Sequence, residues 1–136
     1  MIAPDSSVVV AALSEWHPAH EASRAALVSD ERTLPAHAAF EAAAVLSRLP
    51  EGYRTAPAVA LEAIESDYRL PWLALDAEHQ RTCLRRAIGA GLRGGALYDA
   101  LIAATAREHG ATLLTADRRA SVAYEAMGAK VEYLHA

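Results

Sequence analysis

The stretch "GGALYDALIAATAREHGATLLTAD" (Gly94–Asp117) decides the fold. From Ala96 to Ala106 it is a run of small and apolar residues at helical spacing, interrupted by one carboxylate, Asp99, and the helix continues to about His109. Gly110 supplies a helix stop, and "ATLLTAD" (111–117) then has the β-branched and apolar character of a buried strand ending on an acid, Asp117. A helix leading through one glycine into a short buried strand is half of a parallel α/β unit.

Working outward, the same alternation recurs. Residues 1–5 read as a strand ending at Asp5, with Ser6 or Ser7 (or Asp5 itself) available to cap a helix running to about Ser14. Pro18 to Val28 reads as a helix, "RTLPA" (32–36) as a strand, and "HAAFEAAAVLSRL" (37–49) as a helix stopped by Pro50. A helix from Pro57 to near Tyr68, a strand "PWLALD" (71–76) and a helix from Ala77 to about Ala90 follow. After Asp117 come a helix "RRASVAYEAMG" (118–128) and a last strand "AKVEYL" (129–134). The expected architecture is a single α/β domain over residues 1–136, a three-layer α/β/α sandwich around a central, mostly parallel five-stranded sheet.

The 136 residues suffice for a core without staples. The apolar share of 53% owes much to alanine, which suits closely packed helices, and the net charge of −4 argues against a broad basic surface. The lone Cys83 makes no internal disulfide and suits a reducing cytoplasm. The N-terminus has no basic n-region, and no apolar run approaches the roughly 18–20 residues of a membrane span. A cytoplasmic protein without membrane attachment is expected.

In such sheets ligands bind at the carboxyl ends of the strands. Asp5 and Asp117 end strands there, and Glu41 sits in the first turns of the helix after the second strand. Asp99 joins them if its helix begins at the same edge. Each acid has a plainer reading: Asp5 and Asp117 can cap the helices that follow them, and Glu41 and Asp99 can complement helix N-termini. Neither Glu41 nor Asp99 completes a capping box, because Ala38 and Ala96 stand three residues before them. Four gathered carboxylates would repel, each pair about 4 Å apart by about 4 kcal/mol at an effective dielectric of 20. Raised pKa values, arginines or hard cations must offset that, and an oxygen-only set suits Mg²⁺ or Mn²⁺.

With these residues on view, the chain resembles the PIN-domain ribonucleases, most closely the VapC-type toxins of bacterial toxin–antitoxin pairs. The likeness spans nearly the whole length and rests on "PDSSVVVAAL", "LPAHAAFEAAAVLSRLP" and "YDALIAATAREHGATLLTADRRA". It implies a metal-dependent endoribonuclease acting on structured RNA such as tRNA or ribosomal RNA, and a homodimer held inactive by a cognate antitoxin. It places Asp5, Glu41, Asp99 and Asp117 on the family's four acidic positions and Thr115 on a hydroxyl position. The acidic net charge and the abundance of alanine depart from expectation for an RNA-binding protein.

Arg118 and Arg119 directly follow Asp117 and are the best-placed cations for a phosphate. Arg81, Arg85 and Arg86, one turn apart on a helix, with Arg93 beyond, are further candidates for RNA contact, against the reading of a solvated helix face. Trp16 can stack on a base or pack internally. His17 and His20, at i, i+3 spacing, have no further metal ligands near them in sequence. Two rival readings are a PIN-like module that binds without cutting, and an Mg²⁺-dependent aspartyl phosphatase or phospho-receiver. The latter is disfavoured by Ser6-Ser7 after Asp5 and by Lys130 being the only lysine.

Overall fold

The computed structural model describes residues 1–28 and 31–134. Strand β1 (Ile2–Pro4) pairs in parallel with β2 (Thr112–Thr115), which pairs in parallel with β3 (Val131–Tyr133), in the spatial order β1-β2-β3. The register sets Pro4 opposite Leu114 and Thr115 opposite Tyr133. The helices are α1 (Ser6–Ala12), α2 (His20–Ala26), α3 (Ala36–Ser47), α4 (Pro57–Asp67), α5 (Ala77–Gly89), α6 (Gly95–Glu108) and α7 (Ser121–Ala126).

Among the described residues the sheet has three strands, not the expected five. The segments expected as strands at 32–36 and 71–76 do run side by side in parallel, but they share a single bridge, Pro35 with Leu73. Leu70 N donates to Arg32 O, Leu73 N to Leu34 O and Ala36 N to Leu73 O, over 2.8–3.1 Å. Pro35 has no N–H to add, and α3 begins at the next residue, so the ladder cannot extend. The helix expected over 118–128 is also divided: Arg118–Ala120 form a 3-10 turn before α7. The expected start of α2 at Pro18 moves to His20.

Adjacent residues of β2 point to opposite faces, and each meets its own core. Leu113 packs with Ala3 among residues of α5, α6 and α7, including Cys83, Ala100, Ala103, Ala106 and Tyr124. Leu114 packs among residues of α1, α3 and α4, including Val8, Val9, Ala42, Leu46 and Ile64. Helices therefore cover both faces of the parallel sheet, as the sequence implies. The alanines explain how: Ala38, Ala42, Ala100, Ala103 and Ala106 are all fully buried, and a methyl side chain lets helix backbones approach the sheet closely.

One connection positions the site. After α6, His109 caps the helix and Gly110 takes φ +66°, with Gly110 N donating to Arg107 O and Ala111 N to Ala106 O. This is the six-to-one and five-to-two pairing of a Schellman stop, which glycine enters without steric cost. The chain turns straight into β2, so α6 runs antiparallel to it and the start of α6 lies at the carboxyl edge of the sheet. Among the described residues no helix is long and apolar enough to cross a membrane.

Candidate active site

Asp5 follows β1 directly and is 2% exposed. Its Oδ1 accepts from Val8 N at 3.2 Å, so Asp5, rather than Ser6 or Ser7, is the N-cap of α1. The Ser7 hydroxyl donates to the same oxygen, and Tyr124 Oη donates to Oδ2 at 2.7 Å. Burial pushes the Asp5 carboxyl above the usual carboxylate range, while these hydrogen bonds pull the other way. Ser7 does a second job: its Oγ accepts from Ala116 N at 3.0 Å, joining the ends of β1 and β2.

Beyond β2, Asp117 N donates to Thr115 Oγ1 at 3.0 Å, and Thr115 is fully buried. The threonine thus fixes the turn that carries Asp117 and also lies against Asp5. Asp117 Oδ1 accepts from Arg119 N at 3.0 Å and from Arg119 Nε at 3.3 Å. The capping reading of Asp5 and Asp117 and their place in an acidic cluster therefore hold together.

The orientation of α6 brings Asp99, in its second turn, to this edge. Desolvation first, then the charges of Glu41, Asp117 and Asp5, push its pKa up to about 6. Glu41, in the second turn of α3, is likewise raised, by burial and then by Asp5. Acids scattered over more than a hundred residues of chain are thus close enough to interact at one edge of the sheet: Asp99 with Glu41, Asp117 and Asp5, and Glu41 with Asp5. Glu41 Oε1 is buried and has no hydrogen-bond partner. His37 Nε2 lies 3.7 Å from it, too far for a hydrogen bond, and burial holds the His37 ring below its ordinary pKa, so at neutral pH it does not neutralise the acid. His37 instead stacks on Tyr98, with centroids 5.0 Å apart and planes 10° from parallel.

A buried, unpartnered carboxylate oxygen on Glu41, which feels the charges of Asp5 and Asp99, fits a hard divalent cation with oxygen ligands. Among the described residues no three acidic, histidine or cysteine side chains already close on one point.

The arginines divide. Arg119 reaches back to Asp117, and Arg118 lies over the Tyr133 ring at 4.7 Å from its centroid, both at the acidic edge. Arg85 and Arg86 are in the last turns of α5. Arg86 shares a cleft with Arg107 and Glu108, at the far end of α6 from Asp99. The structure does not bring Arg86 to the acidic edge. His17 Nδ1 accepts from Ala19 N, and His20 Nδ1 meets Ala11 O, so each ring engages backbone.

Sequence reasoning missed Tyr124 and the double role of Ser7. Tyr124 lies 119 positions from Asp5 and carries no local signal. Ser7 was visible only as a possible cap.

Comparison with known proteins agrees with this arrangement. The PIN domain family matches residues 2–126. Ribonuclease VapC40 of Mycobacterium tuberculosis (strain ATCC 25618 / H37Rv) is 45% identical over 133 residues, covering 97% of this chain and 98% of that protein. Ribonuclease VapC27 of the same strain is 38% identical over 132 residues, covering 96% and 94%. Among solved structures, FitAcB from Neisseria gonorrhoeae superposes with a TM-score of 0.66 at 24% identity, covering 96% of each chain. FitAB bound to an IR36 DNA fragment gives 0.70 at 23% identity, covering 98% of this chain and 94% of that one. At those identities the likeness is one of fold. With a family match across most of its length and a VapC relative sharing nearly half its residues, this chain belongs to the PIN-domain family, among its VapC-type members.

Proposed function

We propose that the protein is a metal-dependent endoribonuclease toxin that hydrolyses phosphodiester bonds in structured RNA, tRNA or ribosomal RNA, and that a cognate antitoxin restrains it. The observation that carries this reading is the meeting of Asp5, Glu41, Asp99 and Asp117 at one sheet edge, with Glu41 Oε1 buried and unpartnered. The names of the VapC relatives support the RNA substrate. A homodimer and a cytoplasmic location belong to the same reading.

When bound, Mg²⁺ or Mn²⁺ would activate water and offset charge on the departing oxygen. Asp5, Asp99 and Asp117 would hold the cation, directly or through water, and Glu41 would hold a second ion or position the attacking water. Thr115 keeps Asp117 in place through its backbone amide. Arg118 and Arg119 offer positive charge to the RNA phosphates at this edge, and Arg85 and Arg86 would meet RNA further off. The aspartyl-phosphatase reading fares poorly, because a nucleophile must reach substrate and Asp5 is buried with both oxygens hydrogen-bonded.

Total RNA digested by antitoxin-free protein tests the proposal. Cleavage with Mg²⁺ or Mn²⁺ that stops with EDTA and in Asp99→Asn, leaving 5′-phosphate and 3′-hydroxyl ends, is expected. Products ending in 2′,3′-cyclic phosphate would refute metal-assisted hydrolysis, and no cleavage of any RNA would favour a binding module.

A further inference from the structure

At the far end of α6 from Asp99, an open cleft of about 370 Å³ lies between α5, α6 and the end of α7, lined among others by His79, Thr82, Arg86, Arg107, Glu108 and Met127. Two guanidiniums close on one spot there: Arg86 Nη2 and Arg107 Nε each lie 3.6 Å from the position that a Cβ on Gly128 would take. Like charges gathered in this way call for a counter-charge. Arg24, Arg81 and Arg119 each face a carboxylate. Among the described residues, Arg86 and Arg107 make no ion pair and no side-chain hydrogen bond. The helix end beside them does not take them up either: the carbonyls of Tyr124 and Glu125 accept from the amides of Ala129 and Gly128.

The acids nearby are engaged by His79. Glu108 is the carboxylate on the cleft wall, and its Oε1 lies 3.6 Å from His79 Nε2. Asp76 holds the other ring nitrogen at 2.7 Å, and the two acids favour the charged imidazolium. The cleft therefore offers two unpaired guanidiniums, with the Thr82 hydroxyl one turn before Arg86 as a further donor. We propose that Arg86 and Arg107 clamp a backbone phosphate of the bound RNA, a few nucleotides from the cut. A phosphate oxyanion is the acceptor that two forked guanidiniums match. Arg107 stands eight residues beyond Asp99 on α6, which is about 12 Å along the helix axis and about 80° round it, on a neighbouring flank. A stacked strand covers that distance in a few nucleotides. The shared helix and the openness of the cleft favour a phosphate within a chain over a small free anion. The inference rests on the ribonuclease reading for its ligand, and its test does not require the RNA to be cut.

Binding of a fluorescent RNA hairpin is measured by anisotropy, with Mg²⁺ and over a range of salt, in protein carrying Asp99→Asn to silence cleavage. Adding Arg86→Gln and Arg107→Gln together should weaken binding about tenfold and lower the slope of log affinity against log salt by about 0.7–0.9, the loss of one phosphate contact. Arg69→Gln, a charge lost elsewhere on the surface, should leave both unchanged. NMR of the Arg86 and Arg107 Nε–H groups supplies the second arm, and the hairpin should shift both signals. Inorganic phosphate shifting them while the hairpin does not would make the cleft a small-anion site and overturn the RNA clamp. RNA binding that is indifferent to both arginines, or absent, overturns it as well. Arginine-dependent binding by a protein that cuts no RNA would uphold the clamp and sink the nuclease reading instead.

Discussion

Tyr124 Oη donates a 2.7 Å hydrogen bond to Oδ2 of Asp5, and both side chains are almost wholly buried. With Ser7 Oγ and Val8 N on Oδ1 and Thr115 also against the carboxyl, both oxygens of Asp5 are engaged. In the proposed cation site, Tyr124 would hold the Asp5 carboxylate in one orientation.

Tyr124→Phe should therefore weaken Mn²⁺ binding about tenfold, in line with the loss of partners that orient metal ligands. It should also cost about 1–3 kcal/mol of stability, since Oδ2 loses its donor in a buried setting. Calorimetric Mn²⁺ titration and thermal unfolding of the same variant check both. Unchanged affinity with lowered stability would reduce Tyr124 to a packing residue.

Asp99→Asn should abolish cleavage yet raise metal-free stability at pH 7.5. Its charge is repelled by three neighbours, and an amide of the same shape removes the repulsion. Discounted for solvent at a half-buried site, the gain is about 1 kcal/mol, or roughly 2–5 °C in melting temperature. A lower melting temperature in EDTA would contradict the electrostatic account.

The pH dependence follows in sign from the same group. Asp99 titrates at about 6 in the fold against 3.8 without it, so between those values the folded state binds more protons than the unfolded one. Its protonation stabilises the fold fully below about pH 4, and that contribution is lost as pH rises through 6; Glu41 and Asp5, also raised, act in the same direction. Metal-free protein should thus lose stability from this site between about pH 4 and 6. Added Mg²⁺ should stabilise it more at pH 7.5 than at pH 5, as melting curves with and without the ion will show.

Ala103→Leu probes the packing that carries Asp99. Ala103 is fully buried in the core between α6 and the sheet, and overfilling such a position costs about 1–3 kcal/mol. Lower stability with reduced cation affinity would show that helix placement sets the site. Denaturant unfolding paired with Mn²⁺ titration measures both.

The sequence made the acidic residues legible because strand-end position follows from local pattern: Asp5 after an apolar run, Asp117 after "TLLTA". The placement of Asp99 became firm only through Gly110, whose tight stop reverses α6 against β2. Two strands were misjudged because hydrophobic pattern does not register what Pro35 withholds from a ladder. The place of Arg86 relative to the acidic edge was not legible, because helical spacing groups side chains on a face but does not say which end of the neighbouring helix that face adjoins. Tyr124 was invisible since its partner is fixed only when α7 folds onto the sheet.

The Ser7 hydroxyl bridges Asp5 and the Ala116 amide just past the last paired residues of β1 and β2. It works as a clasp on the open end of the sheet, and unzipping there must release Ala116 first. The exchange rate of that single amide proton is consequently a built-in gauge of whether the acidic edge is intact, readable with neither RNA nor metal present.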